Sequence, residues 1–261
     1  MSSLKAVFDQ ARRERRGAVV AVIPVADPDL PRSLAYAASA ARGGADVLAL
    51  ALPFSDSLEG PELRAAFERA GKRRSGIDPF LQEVPALRER SATPLLLATY
   101  SNPLQAFGER RLLTRWREAG GSGLLVLDLP VDASGPLEAT CREVDLDLVQ
   151  TVGAGSGTER ASRIAAHATG FVFARLRYGA SGRREFLPYQ ARQVFAAVRD
   201  RGLSVATGPD LHRPEQAADL CRAGADGVVL GAGLAALLAR APGEDEVEAF
   251  VRAFRRALSP D

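Results

Sequence analysis

Carboxylates, histidines and glycine-bounded turns gather in four short segments of the sequence. PFSDSLEGPE (53–62) is rich in carboxylates, Asp56, Glu59 and Glu62, the residue type that gives and takes protons in general acid–base chemistry. TGPDLHRP (207–214) places Asp210 and His212 two residues apart, a second setting for proton transfer, although a histidine that starts a helix is more often structural. RYGASGRREF (177–186) carries Gly179 and Gly182 as hinges of a loop built to move. Gly208, and Gly231 in LGAG (230–233), each lead into a helix start, the setting in which backbone N–H groups and helix dipoles cradle a phosphate. His167 in AAHATG reads as a helix C-terminal cap rather than a ligand. No HxH, HExxH or clustered Cys/His spacing calls for a metal. Cys141 and Cys221 stand far apart without a CxxC pattern and read as reduced structural thiols.

Such segments need a scaffold, and the rest of the chain supplies a regular one. Near-continuous apolar runs occur at 17–24, 45–52, 93–100, 122–130, 145–152, 169–176, 203–207 and 225–231, as expected of parallel strands buried on both faces. Amphipathic stretches between them predict helices over 31–43, 61–72, 78–90, 109–119, 134–143, 157–167, 188–201 and 213–223, with one or two more in the tail at 231–258. Eight strand–helix units make a (β/α)₈ TIM barrel, an α/β fold, and 261 residues without a linker suit one domain spanning 1–261. The extra N-terminal amphipathic helix would close the barrel floor, and Trp116 fits a helix–barrel face. A doubly wound sheet would carry fewer strands and a Gly-rich first turn, whereas the first turn here is PVADPDLPR. The four segments then fall on the loops after strands 2, 6, 7 and 8, where a barrel keeps its chemistry.

With 46% apolar and 25% charged residues the composition is that of a globular domain, and no apolar run is long enough for a membrane span. The charged N-terminus lacks a signal-peptide apolar core, which places the protein in the cytoplasm. Thirty-four basic against 32 acidic residues show no bias towards a polyanion, and nothing reads as a nucleic-acid patch.

Taken in order, GGADVLALALPFSDSLEGP (43–61), Asp27–Pro28, Tyr100-Ser-Asn102, DLPVDAS (128–134), RYGASG (177–182) and AGADGVVLGAG (223–233) resemble the tryptophan synthase α subunit family over nearly the whole chain. The resemblance implies retro-aldol cleavage of indole-3-glycerol phosphate to indole and glyceraldehyde 3-phosphate. It also implies that this chain holds no cofactor and pairs with a β-like subunit that carries pyridoxal phosphate. The family's chemistry needs a glutamate on strand 2 and an aspartate in the following loop. Here Ala49 stands at the glutamate's place. Strand alternation turns Val47, Ala49 and Ala51 to the lumen and Leu48 and Leu50 to the helices. The loop is one residue shorter, so Glu59 is the possible substitute for the aspartate.

The implied phosphate pocket also departs from the family. Asp210 replaces a glycine beside retained Gly208, and Ala232 replaces a serine beside retained Gly231, with the backbone N–H groups expected to survive. Phe173 takes the place of the lumen tyrosine. Ser181 and Gly182 still permit an anion contact. Arg175, inward like Phe173, is expected either to pair with Asp210 in the old phosphate site or to point outward to water. Pro53, Phe54, Ser55 and Asp56 match the family's contact segment, with Phe54 as an exposed interface anchor; alternatively this segment caps the barrel, with Asp56 bonded to its own loop. In the mobile loop, Arg177 and Gly179 are kept while Tyr178 is larger than the family's alanine. Two functions follow: a catalytically impaired α-like subunit that docks on and regulates a pyridoxal-phosphate β-like partner, or an active lyase on indole-3-glycerol phosphate or a related small molecule through Glu59, Asp210 or His212.

Overall fold

The computed structural model describes residues 3–73, 76–153, 155–175 and 189–259. Eight parallel strands close on themselves: β1 (Ala18–Pro24), β2 (Val47–Ala51), β3 (Leu95–Thr99), β4 (Gly123–Val126), β5 (Asp147–Gly153), β6 (Val172–Arg175), β7 (Val205–Gly208) and β8 (Gly227–Leu230). Each strand pairs with the next in sequence, and Ala18 of β1 stands opposite Gly227 of β8 to complete the ring. This is the (β/α)₈ barrel expected from the alternation of apolar runs and amphipathic stretches.

Helices wrap the ring: α1 (Leu4–Arg13), α2 (Leu30–Arg42), α3 (Pro61–Gly71), α4 (Ile77–Arg90), α5 (Ser101–Phe107), α6 (Glu109–Glu118), α7 (Gly135–Glu143), α8 (Thr158–Ala166), α9 (Tyr189–Arg199), α10 (Pro214–Arg222), α11 (Ala232–Leu238) and α12 (Glu244–Ala257). The seven-residue α5 adds to the helices expected from the sequence, because its SNPLQAF segment has too few turns to show a helical period; Gly108, at φ +93°, breaks it from α6.

Strand alternation divides the apolar interior in two. Leu48 and Leu50 of β2 join the layer between strands and helices, where Trp116 is fully buried and donates from Nε1 to the Gly123 carbonyl at 3.0 Å. Val47, Ala49 and Ala51 join the lumen, together with Val20, Leu96, Phe173 and Val229. From below, α1 plugs this lumen with Leu4, Phe8 and Ala11, Phe8 meeting Phe171 at 4.8 Å, and the Leu4 amide donates to Asp147 at 2.7 Å. The strand C-termini and the loops beyond them therefore form the open end, where the site must lie.

Candidate functional site at the barrel mouth

Ala49 sits opposite Val22 of β1 and Leu96 of β3, and only 2% of its surface is exposed. Its methyl group faces an apolar cavity of about 30 Å³, walled by Val20, Val22, Leu96, Leu125, Phe171 and Phe173. Among the described residues, Glu59 is the one ionisable group that borders this cavity. The lumen thus offers apolar contact throughout and a single carboxylate at its rim.

Glu59 arrives there on the loop between β2 and α3, which is pinned at two points. Tyr100, at the end of β3, is 1% exposed; its hydroxyl lies 3.0 Å from Ser57 Oγ and accepts the Leu58 amide at 3.0 Å. Burial, opposed in part by the Ser57 hydrogen bond, pushes the phenol above its ordinary pKa, so the hydroxyl remains a neutral donor and acceptor. The Glu59 amide in turn donates to Ser57 Oγ at 3.1 Å. Across the mouth, the Arg175 guanidinium at the end of β6 donates to Glu59 Oε1 at 2.9 Å and to the Leu58 carbonyl at 3.1 Å. The expectation that Arg175 would pair with Asp210 is corrected here. Arg175 does point inward, but its reach takes it to the opposite loop, where the Glu59 carboxylate, 5% exposed, lies within the mouth. Asp210 is half-buried beside that loop, and a methyl group added to Gly60 would come within 3.3 Å of its Oδ1.

The same loop revises the expected contact surface. Phe54 is half-buried and packs its ring 4.8 Å from that of Tyr100, so it is not an exposed anchor. Ser55 and Asp56 are exposed, and Ser55 Oγ donates to Asp56 Oδ2 at 3.3 Å. Leu58, which the sequence does not mark as a contact residue, is 52% exposed.

Backbone donors of the strand-8 turn are already engaged. Gly231 and Ala232 both donate their N–H groups to the Pro209 carbonyl, at 3.2 and 3.0 Å, and Gly233 donates to Leu211 at 3.0 Å. This corrects the expectation that these donors stay available to an anion: residues 209–211 fold over the start of α11 and satisfy them. Gly208 is required for packing, since a side chain there would strike the Val229 carbonyl at 2.3 Å. Ala232 is buried, and Phe173 lines the lumen. Arg177, Tyr178, Gly179, Ser181 and Gly182 lie outside the described residues.

The tryptophan synthase alpha chain family model matches residues 8–257. The chain belongs to this family. It is 35% identical over 256 residues to the tryptophan synthase alpha chain of Gloeobacter violaceus, covering 96% of this chain and 93% of that one. The alpha chain of Methanopyrus kandleri is 31% identical over 257 residues, covering 98% and 93%. Among solved structures, Mycobacterium tuberculosis tryptophan synthase superposes with a TM-score of 0.89 at 26% identity over the whole of both chains. A chain of the tryptophan synthase complex from Pyrococcus furiosus superposes at 0.82 and 26% identity, over 92% and 98%.

In this alpha-family barrel the remaining candidates have structural settings. His212 is exposed at the start of α10, its Nε2 3.9 Å from Glu62, outside the lumen lining. His167 caps α8 and sets Nδ1 3.0 Å from Glu138. Both cysteines are free, and burial pushes each thiol up to about 12. Asp27, 1% exposed, takes a bidentate ion pair from Arg69 of α3 at 2.9 and 2.7 Å, which ties the β1 loop to α3. Arg69 gave no advance sign of this, because nothing in its helical pattern separates it from the solvated arginines around it.

Proposed function

We propose that this chain, as a single barrel domain over residues 1–261, is the α-type subunit of a cytoplasmic tryptophan synthase assembly and is impaired in cleaving indole-3-glycerol phosphate. It acts chiefly by docking on, and regulating, a β-like subunit that holds the pyridoxal phosphate. Family membership supports the α-type role, and no helix among the described residues is long and apolar enough to cross a membrane. The observation that carries the impairment is the methyl group of Ala49 on a lumen wall where, among the described residues, Glu59 is the one ionisable group.

The reaction breaks a carbon–carbon bond while the indole carbon gains a proton and the substrate hydroxyl loses one, and the indole N–H proton passes to a base and is returned to nitrogen as indole forms. A methyl group moves no proton, and losing a positioned acid–base group costs roughly 10²–10⁴ in rate. Glu59 reaches the mouth, but its carboxylate is joined to Arg175. The strand-8 amides that would meet a phosphate donate to protein carbonyls instead.

Docking requires none of these groups. Exposed Ser55, Asp56 and Leu58 stand on a loop held from beneath by Tyr100 and Arg175, a stiff surface for a partner. Regulation then needs only that the partner's closed state bind this surface more tightly than its open state. Purified together with a β-like subunit, the chain is expected to form a stable complex and to raise the rate at which that subunit condenses indole with serine. No complex and an unchanged rate would reject the docking role.

A further inference from the structure

On the floor side of the barrel, away from the mouth, a groove of about 670 Å³ runs between the α1–β1 turn, α10 and the end of α12. Arg12, Arg15, Arg16, Arg222 and Arg256 converge on it, against two carboxylates, Glu215 and Asp226. Arginine supplies five of its 15 lining residues but 32 of the 261 in the chain, a roughly threefold excess. Basic last turns of α1, α10 and α12 account for arginine at these helix ends, where it complements the helix dipole. They do not account for convergence on one concavity.

Three of the five are already paired, and two are not. Asp226 is shared between Arg12 at 3.5 Å and Arg199 at 3.4 Å, Arg16 is held by Asp46 at 2.8 Å and by Glu14 at 2.6 Å, and Arg222 pairs with Asp219. Arg15 and Arg256 have no acidic partner among the described residues. Arg15 also holds a left-handed backbone at φ +55°, just past the end of α1, while Arg16 donates back to Ala11 at 3.0 Å to close the helix. Glycine is the residue that relaxes such a position. Nearby, burial and the charge of Arg16 push the Arg255 guanidinium below its ordinary pKa, which marks how crowded with cations this floor is.

We propose that the groove is a binding site for a condensed phosphate, a chain of two or three phosphoryl groups, free or carried by a nucleoside. Planar guanidinium forks match phosphate oxygens two at a time, and a condensed phosphate packs several negative charges into a space bordered by Arg15 and Arg256, which lack acidic partners, and by Arg12 and Arg222, whose pairs it can share. The arginines of the site stand at or just past the C-terminal ends of α1, α10 and α12, on the floor side, and their role does not depend on the chain's catalytic competence.

Calorimetric titration of the purified chain with inorganic tripolyphosphate, ATP and AMP tests it, at about 10 mM and about 150 mM salt. One site per chain is expected for tripolyphosphate and ATP, with AMP at least roughly tenfold weaker and affinity falling with salt. Equal binding of tripolyphosphate and ATP assigns the phosphate chain alone, and tighter ATP assigns a nucleotide. The double variant Arg15→Gly, Arg256→Ser should weaken binding at least roughly tenfold. Because glycine relaxes the backbone at position 15 and offsets the helix-end charge lost at 256, the melting temperature should change little, so loss of the site is separable from loss of the fold. A control, Arg110→Ser with Arg111→Ser on α6, should bind like the wild type. Absence of one-site binding, or binding that the groove variant leaves unchanged, overturns the proposal.

Discussion

Replacing Tyr100 with phenylalanine should loosen the loop after β2 without disturbing the barrel. The phenol is 1% exposed, and its ring contact with Phe54 at 4.8 Å survives the change. What is lost is one oxygen that accepts the Leu58 amide and meets Ser57 Oγ, each at 3.0 Å. Each such hydrogen bond contributes about 1 kcal/mol, and a donor left buried without an acceptor costs about 1–3 kcal/mol. Leu58 is half exposed as a residue, so water can recover part of its amide, whereas Ser57 is buried. A total of about 1.5–2.5 kcal/mol follows. Urea denaturation should show the midpoint falling with the slope unchanged, because the surface released on unfolding is the same. Hydrogen exchange resolved to single amides should show faster exchange at Leu58 and Glu59, with the strands unaffected. If Tyr100→Phe costs less than about 0.5 kcal/mol and leaves exchange at Leu58 unchanged, Tyr100 does not pin this loop.

Ala49→Glu would push a carboxylate into a small apolar cavity and should destabilise the fold by about 2–4 kcal/mol in chemical denaturation. Its indole release should stay at least roughly 10²-fold below that of a relative with intact machinery, since the strand-8 donors remain engaged; full restoration would refute that part of the argument. In a double-mutant cycle, Glu59→Gln and Arg175→Leu should be coupled by about 1–3 kcal/mol, and additivity would show that the ion pair across the mouth contributes nothing. At about pH 8, Cys141 and Cys221 should react with a disulfide reagent some 10³-fold more slowly than a free thiol, and promptly once the chain is unfolded. With native thiols at about 12 and unfolded ones near 9, stability is fully present below pH 9 and lost as pH rises from 9 towards 12, which a series of melts would show.

Period and alternation made most of this legible in advance. Buried parallel strands read as apolar runs, and alternation along β2 sent Ala49 to the lumen and Leu48 and Leu50 outward, as observed. What stayed hidden depends on distance across the barrel. Arg175 and Glu59 are 116 residues apart, and their pairing depends on the barrel's diameter and the course of a loop, neither of which leaves a local pattern. The engagement of the Gly231 and Ala232 amides by Pro209 is likewise invisible, because a sequence shows that donors exist but not what meets them. Phe54, expected as an exposed anchor, is drawn inward because its ring finds a partner in Tyr100, while Leu58 is left exposed.

Indole release from indole-3-glycerol phosphate by the purified chain, alone and saturated with a β-like partner, bears most directly on the absence of a proton carrier at position 49. Turnover at least roughly 10²-fold below that of an alpha chain with the strand-2 glutamate is expected in both cases. Equal turnover would mean that this barrel cleaves its substrate with other groups, and the proposed impairment would be wrong.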